Sequence, residues 1–276
     1  MKESPTWVQR RVLDVGYHYV LAGGEAITDL GKIFFELMVG KIKKGEKTPL
    51  SEYFGVLNGF GLAIEGLDSL KMLTGKNALY LSNHTENGPL RNGHWKLFAT
   101  NYVVKEITEK EIRWTYGQDR STGQELFREP VTKSVNAIPV REGTGIAGIR
   151  EILKAFQSQD SVGLYPEGDG RKELIKGDPK AGGIIYLAAT KGIPIVAISA
   201  WFEKEKNVCH LNFALLDNTF IKSMGNVSSN RDDNRQRIVD YAMTAISQNM
   251  PSQLRGYYQL DDLLVNPAPT TLRSGH

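Results

Sequence analysis

The chain has 276 residues, enough for one large domain with a full hydrophobic core. Its charges are nearly balanced, with 34 basic and 31 acidic residues and a net charge of +3. That excess is too small to indicate a nucleic-acid-binding protein. The single cysteine, Cys209, excludes an internal disulfide, and its apolar neighbours predict a buried, inert thiol. No Cys/His cluster indicates a metal site.

The first fifty residues have a helical pattern. Between residues 25 and 44 the apolar positions are spaced three and four apart and share one helix face, and they are Ile27, Leu30, Ile33, Phe34, Leu37, Met38 and Ile42. At its end, the opposite face carries a basic cluster formed by Lys41, Lys43, Lys44 and Lys47. Two interpretations fit: a helix packed on the core, which the residues alone favour, or an amphipathic helix lying on an anionic membrane.

No apolar stretch approaches the roughly 20 residues of a membrane span, and the start of the chain lacks a signal-peptide pattern. We therefore expect a soluble or peripheral protein.

From residue 60 onward, short apolar runs alternate with helical patterns. Strands are predicted at 61–66, 78–82, 137–140, 161–165, 193–200 and 208–216, and helices at 145–156, 179–191 and 231–248. This alternation indicates an α/β fold with a mixed, largely parallel sheet flanked by helices, preceded by the amphipathic helical segment. We expect that segment over 1–55, the α/β domain over 56–260 and a loose tail over 261–276.

Polar side chains follow three of the predicted strands. Because parallel strands bring their carboxyl ends to one edge of a sheet, these side chains are expected to converge there. The candidate residues are Asn83, His84, Glu86, Arg141, Glu167, Gly168, Asp169, Arg171 and Lys172.

His84 is the candidate general base. An imidazole whose tautomer is fixed by a carboxylate can take up a hydroxyl proton near neutral pH. The other two histidines considered, His18 and His210, are expected to be structural. The proline and glycine on either side of Glu167 predict a tight turn that lets a substrate approach the backbone.

Three cations lie among the candidate residues. Arg141 and Arg171 can hold a phosphate through two parallel hydrogen bonds, and Lys172 can hold one as a point charge. The alternative interpretation of all three is a solvated rim.

Four motifs, in this order, resemble those of the glycerol-3-phosphate and 1-acylglycerol-3-phosphate (lysophosphatidic acid) acyltransferases. The first family motif, N-H-x-x-x-x-D after an apolar strand, is matched in its front half by residues 79–84. The second ends in an arginine after an apolar strand, as residues 137–141 do. The third, F-P-E-G-T-R, is matched by residues 165–168 and Arg171, and the fourth, an apolar strand with a proline, by residues 193–196.

The resemblance implies O-acyl transfer in phospholipid biosynthesis. In this family the histidine deprotonates an acceptor hydroxyl, which attacks the thioester of acyl-CoA or of an acyl carrier protein, and no cofactor or metal is required. It implies that His84 is the base and that the third-motif glutamate and the arginines position a glycerol phosphate. It also implies a peripheral protein on the cytoplasmic face of a membrane, docked through its N-terminal helix, with no nucleic-acid partner.

One departure from the family pattern concerns the acid that orients the histidine. The family has aspartate five residues after the histidine, whereas this chain has Pro89, or Gly88 if one residue is deleted. Losing the orienting acid of a serine-protease triad costs about 10⁴-fold in turnover. Glu86 is the nearest substitute, and a helix-start acid is the alternative interpretation of that residue.

A second departure lies in the third motif. Asp169 stands where threonine is usual, and Gly170 separates it from Arg171. Either the acceptor is not a phosphate monoester, because the added negative charge opposes phosphate binding, or Asp169 supplies the missing acid.

Three functions therefore remain open. The first is an acyltransferase acting on a glycerol phosphate or lysophospholipid, and the second is an acyltransferase with a non-phosphate acceptor. The third is a catalytically weak family member that binds acyl chains or lipid. A serine or cysteine hydrolase is poorly supported, because the G-x-S-x-G elbow is missing and Cys209 lies on a predicted strand.

Overall fold

The computed structural model describes residues 38–86, 88, 95–118, 131–141, 146–168 and 170–259. Within them, one sheet is formed by β1 (Gly61–Glu65), β2 (Leu79–Ser82), β3 (Ile112–Gln118), β4 (Ile138–Arg141), β5 (Ser161–Leu164), β6 (Ile195–Glu203) and β7 (Val208–Leu215). The strand order is β1-β7-β6-β2-β5-β3-β4. Neighbouring strands run parallel except β6 and β7, which are antiparallel.

The α-helices of the described residues lie on both faces of this sheet. They are α1 (Leu67–Lys71), α2 (Trp95–Thr108), α3 (Ile146–Gln157), α4 (Pro179–Thr190), α5 (Asn218–Met224) and α6 (Arg231–Gln248). Residues 38–43 and 131–134 are also helical. Shorter 3₁₀ helices cover Leu50–Leu57, Ser252–Leu254 and Gly256–Tyr258. The predicted class, α/β with a mixed, largely parallel sheet flanked by helices, is confirmed.

Four of the helices and strands named above, α1, α2, α5 and β3, are not among the predicted ones. The buried side of α2 includes the polar residues Lys96, Thr100 and Asn101. These residues interrupt the apolar spacing by which an amphipathic helix is recognised in a sequence.

The core has two layers, one on each face of the sheet, because successive side chains of a strand point to opposite faces. In β2, Leu79 and Leu81 enter the layer formed with α3, α4 and α6. Tyr80 enters the opposite layer, which contains α2 and the 3₁₀ helix at Leu50–Leu57. β2 therefore contributes to both core layers, and it is the middle strand of the seven in this sheet.

Residues 38–55, the described part of the predicted N-terminal segment, pack on the second core layer. Met38, Val39 and Ile42 are buried there. Lys43, Lys44 and Lys47 are exposed. The apolar positions from Ile27 to Leu37 and the tail over 261–276 lie outside the described residues. In the part of the chain that the structure describes, no helix has the length and apolarity to cross a membrane.

The sheet brings together segments that are far apart in the chain. β2 lies between β5 and β6 and runs parallel to both, with Leu81 opposite Leu164. The segments that leave the carboxyl ends of β2 and β5 are therefore neighbours, at the edge where ligands bind in open α/β sheets.

Candidate active site

Glu167 joins the segments that follow β2 and β5. Its Oε2 accepts a hydrogen bond of 2.5 Å from the backbone N–H of His84, and its Oε1 accepts one of 3.1 Å from the N–H of Ile175. The side chain is only 6% exposed. The carboxylate of the third motif thus holds the backbone of the first-motif histidine.

The predicted tight turn forms at residues 165–168. It is closed by a hydrogen bond of 3.1 Å from the N–H of Gly168 to the carbonyl of Tyr165. Gly168 has a φ of +74°, in the left-handed region that favours glycine, and, its two chain neighbours aside, no atom of the described residues lies within 4 Å of where its Cβ would be. The turn therefore has an open side that a substrate can approach.

The imidazole of His84 lies at the end of a column of stacked rings. Its centroid is 4.4 Å from that of Tyr165 at an interplanar angle of 16°, and Tyr165 lies 4.9 Å from Trp114 at 24°. Trp114 faces Gly163 across the β3–β5 pair, where a Cβ would come within 2.4 Å of the indole. The missing side chain of Gly163 lets the column rest on the sheet.

The backbone of residues 84–86 pairs with that of Arg171. The N–H of Glu86 donates to the carbonyl of Arg171 at 2.6 Å, and the N–H of Arg171 donates to the carbonyl of His84 at 3.3 Å. The Glu86 side chain packs beside Gly170, whose Cβ would lie 3.0 Å from the Oε1 atom of Glu86. The first and third motifs therefore form one continuous structure around His84.

Asn83 is fully buried and fastens the end of β2 to β6. Its amide oxygen accepts from the N–H of Ala200 at 2.8 Å, and its Nδ2 donates to the carbonyl of Ala200 at 2.9 Å. Nδ2 also lies 2.7 Å from the hydroxyl of Thr85. These contacts fix the residues on either side of His84, and a contact between Asn83 and substrate stays a prediction.

Lys96, in the first turn of α2, is a site residue that the sequence did not reveal. Only 2% of it is exposed. Its Nζ donates to both the carbonyl and the hydroxyl oxygen of Thr85, each at 2.6 Å. The one available signal is weak: a lysine in the first turn of a helix is unfavourable to the helix dipole.

Burial governs the electrostatics of Lys96 and Glu167. It raises the pKa of Glu167 to about 7, while the N–H groups of His84 and Ile175 and the charge of Lys96 act in the opposite direction. It lowers the pKa of Lys96 to about 7, and the charge of Glu167 opposes that shift. Both groups thus titrate near neutral pH.

The other predicted binding residues are less closely joined to His84. Arg171 and Lys172 are exposed beyond the turn. Arg141 ends β4, three strand positions or roughly 14 Å from β2 along the sheet. Asp169 lies outside the described residues. The substrate contacts of the three cations stay predictions.

Two other residues with reactive side chains have structural surroundings. His210 stacks on Trp201 with centroids 4.7 Å apart, and its Nε2 lies 3.0 Å from Glu203 Oε2. Cys209 is 1% exposed, and burial raises the pKa of its thiol to about 12. The expectation that Cys209 is buried is confirmed, and its inertness stays a prediction.

No family model and no curated protein matches the chain. Among solved structures, it is similar to the 1-acyl-sn-glycerophosphate (LPA) acyltransferase of Thermotoga maritima. The TM-score is 0.44 and the identity 13%, over 87% of this chain and 94% of that one.

Proposed function

We propose that the protein is an acyltransferase that moves a fatty acyl group from acyl-CoA or an acyl carrier protein to a hydroxyl of a glycerol phosphate or lysophospholipid. The observation that supports it best is the 2.5 Å hydrogen bond from the N–H of His84 to Glu167. It unites two separate motifs of the sequence at the ligand-binding edge of the sheet.

The proposed reaction needs one base and no resident cofactor. The imidazole of His84 takes the proton of the acceptor hydroxyl, and the oxygen attacks the carbonyl carbon of the thioester. The tetrahedral intermediate collapses with cleavage of the C–S bond, and the imidazolium returns its proton to the leaving thiolate. In this proposal Glu167 keeps His84 in place, and the exposed Arg171 and Lys172 attract the phosphate of the acceptor.

The direct test supplies labelled acyl-CoA and acyl carrier protein with glycerol 3-phosphate, lysophosphatidic acid and a monoacylglycerol. We expect transfer by the natural protein and loss of transfer by more than about 10³-fold in His84→Ala. His210→Ala is the matched control and should retain activity, because His210 is paired with Glu203 outside the site. The absence of transfer to every acceptor from either donor would contradict the proposal.

A second candidate is transfer to a phosphate-free acceptor, favoured by the acidic residue at position 169 of the third motif. In the same assay, the monoacylglycerol is compared with the two phosphate acceptors. Faster acylation of the monoacylglycerol would favour this second function over the first. Binding of acyl-CoA without turnover would instead indicate the catalytically weak, lipid-binding protein.

The acid that orients His84 is proposed to be Glu86 or Asp169. Glu86 follows the histidine by two residues and lies beside Gly170. The variant that removes the true partner, Glu86→Gln or Asp169→Asn, should lose turnover by orders of magnitude, while the other changes it little. Pro89→Asp restores the aspartate of the family motif. It should raise turnover if neither Glu86 nor Asp169 orients His84.

Docking on an anionic membrane through the N-terminal helical segment is also proposed. The exposed Lys43, Lys44 and Lys47 support it. Changing all three to glutamate should weaken binding to vesicles that contain anionic lipid and leave binding to neutral vesicles unaltered. Equal binding by both forms of the protein to anionic vesicles would count against this role.

A further inference from the structure

We propose that Lys96 is a positioning residue for the reaction, one that anchors Thr85, next to the base, stabilises the ionised form of Glu167, and so holds the imidazole of His84 in place. The inference rests on the acyl transfer proposed above and adds to it a residue outside the four motifs. Lys96 does not contact the reacting atoms in this account, because it acts through Thr85 and Glu167.

The hydrogen bonds of Lys96 reach the residue next to the base. Its Nζ donates to both oxygens of Thr85, and the hydroxyl of Thr85 in turn lies 2.7 Å from the Nδ2 of Asn83. Asn83 is bonded to Ala200 of β6. The residues on both sides of His84 are thus held by buried polar contacts, while its own N–H is held by Glu167.

Burial alone does not account for a lysine at this position. Fully buried amines are rare and unfavourable unless they are paired. Methionine would fill nearly the same volume in the helix without a charge to desolvate. The counter-charge is Glu167, since the charge of each group favours the ionised form of the other. The charge of Lys96 therefore favours the ionised form of the carboxylate that accepts from the N–H of His84.

The charge of Lys96 should influence the pH below which kcat falls. The titratable groups of the described residues around Glu167 are Lys96 from α2, His84 after β2 and Tyr165 in its own turn. Without the cation, Glu167 takes up a proton at higher pH. A protonated carboxyl group is a weaker acceptor for the N–H of His84, so the base loses its fixed position at that pH.

The test compares Lys96→Met with Lys105→Met, which changes an exposed lysine of the same helix. In Lys96→Met we expect kcat to fall about tenfold or more, KM to stay within about twofold, and the acidic limb of the kcat profile to move up by about one pH unit. Lys105→Met should match the natural protein in all three quantities. Adding Thr85→Val to Lys96→Met should lower kcat little further, because the two residues act as one unit.

Two results would overturn the inference while leaving the proposed function standing. One is that Lys96→Met has the same kcat and the same pH profile as the unmodified protein. The other is a fall in kcat with no pH shift and with a fully additive effect of Thr85→Val, which would assign Lys96 a structural role alone. If Lys96→Met does not fold, Thr85→Val is tested in its place. A kcat and a pH profile equal to those of the unmodified protein in Thr85→Val would then overturn the inference. An inactive natural protein would contradict the proposed function instead.

Discussion

At the scale of single residues, we expect the orientation of His84 to depend on the ring that stacks against it. Tyr165 contacts both the imidazole and Trp114. We expect Tyr165→Leu to lower kcat roughly twofold to tenfold, because a stacked aromatic pair contributes about 0.5–1.5 kcal/mol. Steady-state acyl-transfer kinetics would measure the change.

The matched control is Tyr165→Phe, which keeps the ring and removes only the hydroxyl. It should retain kcat within about twofold. If Leu and Phe at position 165 gave the same kcat, the stack would have no part in orienting the base.

At the scale of elements, the end of the described chain holds the loop that supports Glu167. The N–H of Leu174 donates to the carbonyl of Leu254 at 3.0 Å, and the N–H of Tyr257 donates to the carbonyl of Leu174 at 2.9 Å. The hydroxyl of Tyr258 donates to Asp240 Oδ1 at 2.7 Å and accepts from the N–H of Gly177 at 3.0 Å. This segment thus connects α6 to the loop beyond the turn.

Tyr258→Phe tests this connection. We expect it to lower the free energy of unfolding by about 1–3 kcal/mol, since it leaves the buried N–H of Gly177 without its acceptor. Urea unfolding gives the free energy, and hydrogen exchange at the Ile175 and Gly177 amides should speed up. Tyr257→Phe alters the exposed neighbour, which is 53% exposed, and should change neither quantity. Equal effects of both variants would contradict the role of the Tyr258 hydroxyl.

At the scale of the whole molecule, the pair of Lys96 and Glu167 makes the free energy of unfolding depend on pH. The ordinary pKa of a glutamate is 4.5, and that of Glu167 is about 7. Between these values the folded protein keeps a proton that the unfolded chain has lost, so stability falls as pH rises. The ordinary pKa of a lysine is 10.5, and that of Lys96 is about 7. Between these values the unfolded chain holds the extra proton, so stability rises with pH.

The contribution of the pair to stability is therefore lowest near pH 7. Replacing both groups, as Lys96→Met with Glu167→Gln, should remove this minimum. Relative to the natural protein, the free energy of unfolding of the double variant should rise by roughly 1–3 kcal/mol from pH 5 to pH 7. This difference should disappear again toward pH 9. Urea unfolding at each pH measures the difference, and a difference that is constant from pH 5 to pH 9 would contradict it.

The sequence was sufficient for the features that depend on local pattern. Alternation of short apolar runs with helical spacing predicts the α/β class, because the periods of strands and helices differ. The bounds predicted for α6 agree with the structure, and the turn after β5 follows from its proline and glycine. The pattern fails at α2, where polar residues occupy buried positions.

Only the tertiary structure decided what surrounds His84. Its hydrogen bond to Glu167 joins residues 83 positions apart, which meet because β2 and β5 are neighbours in the sheet. Lysine side chains are almost never fully buried, yet Lys96 is buried against Thr85. Burial, hydrogen-bond partners and the pKa shifts that follow from them are set by strand order and packing between distant segments, and no local pattern of residues encodes them.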